Sequence, residues 1–321
     1  MNELAKAYNA NLDPQTLTTN EQIIEFFLTV SNTSEKTKET YKRNIKPFLK
    51  FIEEQNQTLI TATNLTIIYY RKMLKDQGKK PSTVNAYLAV IKAVYKVMAS
   101  FKMCDNITES IKSEKVSKSG TKSALTLEQT QRLLQDPAEG ATEQELRDTA
   151  ILNLCALKGL RTIEIARANI EDIHEEQGET YLKVQGKGHN DKDTEVKLQY
   201  DVLAPLIRYL EKRKCTAPKA PLFASVAHRN AGGRMTTNSI SRLVKNALRA
   251  NGLNSNRLTA HSLRHTAVTL ALKEGAKIDE VRKLARHTNI NTTLIYAHNL
   301  DELEDPAGDI LVNAVKGNKS A

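Results

Sequence analysis

The sequence predicts a mainly α protein with one small β-sheet, divided into two domains. Three observations carry this. Apolar residues recur at helical spacing through most of the chain. One stretch, YLKVQGKGHNDKDTEVKL at 181–198, instead reads as two short strands around a polar, glycine-containing turn. Residues 112–122, KSEKVSKSGTK, are rich in lysine and serine without a core-forming period, as in an exposed linker. At 321 residues the chain can bury two separate cores.

Taken in order, residues 1–19 form an N-terminal extension. Its opening, MNELAKAYNANLD, has no apolar signal core, so a cytoplasmic protein is expected. Residues 20–105 read as a helical domain. TKETYKRNIKPFLKFI places Tyr41, Ile45, Phe48, Leu49 and Ile52 on one face, with Lys38, Lys42 and Lys46 as a neighbouring stripe. Pro47 should bend this helix or force a boundary. PSTVNAYLAVIKAVYKVM places Val84, Leu88, Ile91, Tyr95 and Met98 on one face, with Ser82 as the expected N-cap and Lys79 and Lys80 just ahead. The linker is drawn at 106–123 and the second domain at 124–321. The latter opens on a capping-box pattern, Thr126 with Gln129. An apolar helix around Ile151–Leu157, the two strands and further helices from Asp201 follow. The longest apolar run, Ala150–Leu157, is interrupted by Asn153 and falls far short of the roughly 18 residues a membrane span needs.

Lysine and arginine number 47 against 37 acidic residues, a net charge of +10. A soluble chain this basic implies an anionic partner such as nucleic acid or an anionic membrane surface. Cys104, Cys155 and Cys215 are scattered, odd in number and form no CxxC pair, so neither a disulfide framework nor a zinc ribbon is expected and the three read as reduced thiols.

Four stretches carry chemistry. LTAHSLRHTAVT, 258–269, sets His261, Arg264 and His265 into an apolar helical run whose buried face is Ala260, Leu263, Ala267 and Val268. His261 and His265 have zinc-compatible spacing, but Ser262 stands where a metalloprotease has glutamate, and no third ligand follows, so no metal is expected. Alone, the stretch reads equally as a core helix with hydrogen-bonded histidines. LCALKGLRTIEIARANIEDI places Arg161 directly after an apolar helix, with Glu164 three residues on; alone, such a pair is more often a structural ion pair. VQGKGHND sets Lys187 between glycines; no Walker loop is present, and alone it is a solvated lysine. KLARHTNINTTLIYAH holds His287 and, nine residues later, Tyr296, which alone would be a half-buried core residue.

Together and in this order, these stretches closely resemble the tyrosine recombinase (Int/Xer/Cre-like) family over nearly the whole chain. GLRTIE is similar to its first arginine box, GKGH to its β-hairpin lysine, HSLRH to its HxxR box and RHTNINTTLIYAH to its H…Y box. The N-terminal half resembles the helical, SAM-like core-binding domain, which implies a mixed α/β catalytic domain behind it. Carried over residue by residue, the resemblance implies a catalytic set of Arg161, Lys187, His261, Arg264, His287 and the nucleophile Tyr296, with Glu164 supporting the first arginine. It implies cleavage and rejoining of DNA through a 3′-phosphotyrosine with a free 5′-hydroxyl. The phosphodiester energy is conserved in that link, so neither ATP, metal nor other cofactor is expected. The chain departs from the family at Lys158, usually threonine, and at Arg286, usually glycine.

The chemistry suits these residue types. Attack on a phosphodiester builds charge on two non-bridging oxygens, to which Arg161 and Arg264 can each offer a planar fork of donors. A tyrosine with a pKa near 10 is a poor nucleophile at neutral pH and needs a base or nearby positive charge. His261, three residues from Arg264 on one helix face, is the candidate base. Lys187 resembles the family's general acid, His287 would hydrogen-bond a phosphate oxygen, and His265 is expected to be structural.

Lys38, Lys42, Arg43, Lys46, Lys79 and Lys80 are candidate phosphate contacts, each also readable as a solvated surface cation. The expected partners are a double-stranded DNA recombination site, further copies in a homo-tetramer on DNA, and a directionality factor. The expected location is the cytoplasm, at the nucleoid. The two domains would clamp duplex DNA. The two departures favour the integrase of a mobile element over a chromosome-resolution enzyme, and with only about 20 residues ahead of the helical domain, recombination without arm sites is expected. The alternatives are an Xer-like dimer or cointegrate resolution recombinase, a type IB topoisomerase and a non-catalytic DNA-binding regulator. In the tail, DELEDPAGDILVNAVKGNKSA, Pro306 and Gly308 break the chain before an apolar stripe of Ile310, Leu311, Ala314 and Val315. So short a helix needs something to pack on. The family resemblance implies a neighbouring protomer; the other reading is packing on its own domain.

Overall fold

The computed structural model describes residues 14–116, 124–186, 191–304 and 306–316. The chain divides into two compact units, residues 1–120 and 121–321.

The first unit is helical: α1 (Asn20–Val30), α2 (Glu35–Glu54), α3 (Asn64–Asp76) and α4 (Pro81–Ser100). Thr19, Ser34 and Thr63 cap the first three through their side chains. α4 packs on the other three, and its predicted seam, Val84, Leu88, Ile91, Tyr95 and Met98, is fully buried. Its cap differs from the expectation: Lys80, not Ser82, takes the N-cap, with Pro81 as the first helical residue. There the missing proline N–H would have had no partner anyway, and the fixed φ already suits a helix. Pro47 forces no boundary, since α2 runs through it. A proline inside a helix costs roughly 3 kcal/mol, whereas burying Ile45, Phe48 and Ile52 returns about 1.5–3 kcal/mol each.

The segment drawn as linker from residue 106 is held on this unit as far as Glu114. Ile111 lies in its core. Asn85 accepts from the Glu114 amide at 2.7 Å and donates to the Glu114 carbonyl at 2.9 Å. The Glu114 carboxylate pairs with Arg71 at 3.5 Å and Lys75 at 3.3 Å. These partners are distant in sequence, so composition alone reads the stretch as loose. Residues 117–123 of the predicted linker lie outside the described residues.

The second unit opens on α5 (Leu127–Leu133), capped by the predicted Thr126–Gln129 box. α6 (Glu143–Leu157) is its central helix, packed on α8 (Tyr200–Arg213) and α10 (Ala260–Lys273). Between α6 and α8 lie α7 (Thr162–Arg167) and an antiparallel sheet, β1 (Ile173–Glu176), β2 (Glu179–Val184) and β3 (Thr194–Lys197), in the order β1-β2-β3. Leu182 faces Ile173 on one side and Val196 on the other. The sequence reading found β2 and β3 and missed β1, IHEE, whose charge hides it. β1 turns into β2 through Gln177 and Gly178, both at positive φ (51° and 78°), which suits strand twist. The remaining helices are α9 (Thr237–Ala250), α11 (Ile278–Ala285), α12 (Asn291–Glu304) and α13 (Pro306–Lys316). All three cysteines are free, and no described helix is long and apolar enough to cross a membrane.

Candidate active site

The site is assembled where the end of α6, the first turns of α10 and the α11–α12 junction meet. α6 ends at Lys158, and Gly159 turns the chain at φ +58°, a region glycine enters without strain. Arg161 then caps α7. The Glu164 carboxylate accepts from the Arg161 backbone N–H at 2.9 Å and from Arg161 Nη1 at 2.7 Å. R-x-x-E is therefore both a helix cap and an ion pair here, and Glu164 is only 1% exposed.

Arg264 lies on the buried face of α10, 2% exposed. Its Nη1 donates to the Gly159 carbonyl at 2.6 Å, and its Nη2 donates to the Ala285 carbonyl. Each terminal nitrogen carries two hydrogens, so one on each is left for an anion. His261 is exposed at the start of the same helix. Its ring centroid lies 4.7 Å from that of His265, which in turn lies 4.9 Å from Tyr296. His287, just after α11, lies 6.2 Å from Tyr296, and its Nδ1 is 2.9 Å from the Thr293 hydroxyl. Tyr296, on α12, packs beside Val268, Val281 and Ala285.

Arg161, Glu164, Arg264, His287 and Tyr296 thus converge, with His261 joined to them through His265. Lys187, between β2 and β3, lies outside the described residues. Sequence reasoning missed two members. His265, expected to be structural, packs against the Tyr296 ring as His287 does. Arg286 donates from Nη2 to Glu164 at 3.0 Å, and its carbonyl accepts from Arg161 Nη2 at 3.4 Å. Arg286 stood out in the sequence only as a departure from a family pattern.

The electrostatics are unbalanced. Among the described residues, three guanidiniums, Arg161, Arg264 and Arg286, surround a single carboxylate. Burial opposes the Glu164 charge, but Arg286 and the Arg161 amide and side chain outweigh it and hold its pKa below the ordinary value. Burial, reinforced by the charges of Arg161 and Arg286, pushes Arg264 down to about 9, leaving it cationic at neutral pH. Burial raises the Tyr296 pKa, though Arg264 and Arg161 oppose this, so it enters as the phenol. Burial, then Arg264, Arg161, Arg286 and His265, pushes His287 down from 6.5 to about 4, which makes it neutral at pH 7.

That last shift has a stability consequence. Between its unfolded and folded pKa the unfolded chain binds the proton first, so the native state loses stability as pH falls from 6.5 towards 4. At pH 5 the loss from this group is on the order of 1–2 kcal/mol. Denaturant unfolding at pH 7 and pH 5 should show a smaller pH penalty in His287→Gln than in wild type. Equal penalties would place the pH sensitivity elsewhere.

Of the candidate phosphate contacts, Lys42, Arg43, Lys46, Lys79 and Lys80 are exposed. Lys38 differs: it is buried and pairs with Glu35 at 3.0 Å, one helical turn before it. A second basic surface was not foreseen. Arg242, Lys245 and Arg249 of α9 line a cavity of about 670 Å³ together with Thr259 and His261. They lie on the helix face opposite buried Ile240, Val244 and Leu248. On the sheet, His174, Glu176 and Glu195 bring three possible metal-ligand atoms within 4.8 Å of one another. They come from two strands, so sequence spacing gives no sign of them.

Known proteins resemble this chain in sequence and in fold. Residues 123–302 match the phage integrase family, and residues 23–101 match the phage integrase N-terminal SAM-like domain. Tyrosine recombinase XerA of Pyrococcus horikoshii is 30% identical over 277 residues, 86% of this chain and 89% of the relative. Tyrosine recombinase XerD of Listeria innocua is 27% identical over 285 residues, 87% and 93% of the two chains. In fold, the XerH site-specific recombinase in a post-cleavage complex with palindromic difH substrate aligns at a TM-score of 0.72 and 18% identity, covering 95% of this chain and 89% of that one. The convergence of two arginines, a carboxylate, a histidine and a tyrosine from three separate stretches, with a family match over more than half of its length, places this chain in the phage integrase family of tyrosine recombinases, enzymes of site-specific DNA strand cleavage and rejoining.

Proposed function

We propose that Tyr296 attacks a phosphodiester of a duplex DNA recombination site. The observation that carries this reading is the surplus of positive charge: three guanidiniums against one carboxylate, two of them acting electrostatically on the Tyr296 phenol. A phosphate diester supplies the missing negative charge. In the proposed step the Tyr296 oxygen bonds to phosphorus and the bond to the 5′-oxygen breaks. The phenol proton passes to His261, while His265 holds the ring. Lys187 protonates the leaving 5′-oxygen. Arg161 and Arg264 each donate to the non-bridging oxygens. With the Thr293 hydroxyl donating into Nδ1 of neutral His287, Nε2 carries the hydrogen and can donate to the same phosphate. Rejoining reverses these steps with a new 5′-hydroxyl.

The general-acid role has a direct test. Lys187→Ala should cleave ordinary DNA poorly and a 5′-bridging phosphorothiolate nearly as well as wild type, because sulfur leaves without needing a proton. Equal impairment on both substrates would give Lys187 another role.

For the biological task, we propose integration of a mobile element, supported by the departures at Lys158 and Arg286. The Xer-like reading, resolution of dimers or cointegrates, is favoured by the names of the relatives, XerA and XerD. An attachment-site repeat beside the gene, recombined by the purified protein, supports the first. Recombination only between sites on one circular dimer supports the second. DNA relaxation without recombinants would indicate topoisomerase activity, and binding with no covalent adduct a regulator.

The proposed assembly is a tetramer on DNA joined by its tails. On α13, Ile310 and Val315 are 70% and 75% exposed, and Leu311 is exposed beside them. The second unit also carries an apolar groove of about 750 Å³, lined by Leu127, Leu134, Leu157, Tyr200, Ala271 and Leu284, which suits such a helix from a second copy. Deleting residues 307–321 should leave single-site binding nearly intact while cooperative binding to two-site DNA and recombination fall. Gel-shift titration on one-site and two-site DNA measures this; unchanged cooperativity favours packing within one chain.

A further inference from the structure

Arg286 ends α11 in the left-handed region, at φ 50° and ψ 48°, a conformation that costs an arginine more than a glycine. Its side chain is nearly buried and satisfies groups on two other segments. Nη1 donates to the carbonyls of Lys158 at 3.2 Å and Leu284 at 2.8 Å. Nη2 donates to the Gly159 carbonyl at 2.9 Å and to Glu164 Oε2 at 3.0 Å. Two of these acceptors are shared with the arginines of the proposed site: Gly159 also accepts from Arg264, and Glu164 also accepts from Arg161.

This sharing is informative. A carboxylate left with one guanidinium partner concentrates its charge on that partner. Here Glu164 Oε2 is divided between the Arg161 amide and Arg286, while Oε1 takes Arg161 Nη1. Arg286 thereby relieves Arg161 of part of the counter-charge and fixes the turn through Gly159 that both arginines depend on. We propose that Arg286 is a positioning residue for strand cleavage: a third guanidinium, not itself on the phosphate, that sets the geometry and free charge of Arg161 and Arg264. The proposal rests on the recombinase site described above.

The groups facing Glu164 are Arg161 on its own helix, Arg286 after α11, Arg264 on α10 and Cys155 on α6. Removing the Arg286 charge withdraws the principal influence that lowers the Glu164 pKa, so the carboxylate should protonate at higher pH.

The test uses the full-length protein on a nicked suicide substrate at saturating DNA, with affinity measured separately by gel shift. Arg286→Gly should bind the site within about threefold of wild type and cleave roughly 10–100-fold more slowly in a single turnover. That loss corresponds to approximately one to two factors of ten at 1.4 kcal/mol each. The acid limb of its pH–rate profile should move to higher pH. Arg286→Met keeps the buried bulk and should behave the same way, which decides the matter if the glycine variant does not fold. Arg286→Lys keeps the charge and should hold the acid limb in place while recovering part of the rate. Wild-type cleavage at saturating DNA in Arg286→Gly or Arg286→Met overturns the proposal, as does a rate loss with an unmoved acid limb in both. A Tyr296→Phe control separates the two readings, because an adduct that survives there refutes the recombinase site itself.

Discussion

Tyr296→Phe is expected to bind its DNA site with unchanged affinity and to form no covalent protein–DNA adduct. The change removes one oxygen and leaves the ring, which keeps its contacts with His265, His287 and the apolar trio beneath it. The lost hydroxyl is the only atom the proposed step asks to bond with phosphorus, so the effect on cleavage should be complete. Denaturing gels on a nicked suicide substrate, which traps the adduct by letting the released strand diffuse away, give the answer. A persistent adduct would place the nucleophile on another residue.

Arg264→Lys should be the next most damaging change, with cleavage down roughly 10²–10³-fold, or about 3–4 kcal/mol of barrier, the range for losing one preorganised donor group. Charge is kept, so a large loss would come from geometry. Arg264 spans two carbonyls, those of Gly159 and Ala285, while retaining donors for an anion, and an ammonium cannot reproduce that planar fork. Leaving one of the buried carbonyls without a donor would also cost about 1–3 kcal/mol of stability. A melting curve and a single-turnover rate, both below the variant's transition, separate the two losses. A cleavage rate within threefold of wild type would remove Arg264 from the phosphate.

The chain's own pattern made much of this legible. Both helical seams of the first unit, the capping box at Thr126 and the apolar face of α10 follow from local periodicity and cap chemistry, which act between residues a few positions apart. The strand pair at 181–198 was readable for the same reason. β1 was not, because four residues of mostly charged sequence become a strand only when β2 offers its edge. Lys38 misled in the opposite direction: its place in a basic stripe says nothing about the Glu35 side chain beside it or the packing around it.

Within the site, the sequence by itself determined which residue types were available and in what order. Two arginines, a glutamate, a lysine, three histidines and a tyrosine in four ordered boxes carried the resemblance that implies the chemistry. Only the tertiary structure decided how they meet. Gly159 and Arg264 are 105 positions apart and share a 2.6 Å hydrogen bond, while Arg286 reaches 122 positions back to Glu164. Such contacts depend on where three helix ends come together in a low-dielectric interior, where a buried cation must find a carboxylate or carbonyls. No local pattern encodes that requirement, so the contacts of Arg286 and His265 became visible only in the folded chain.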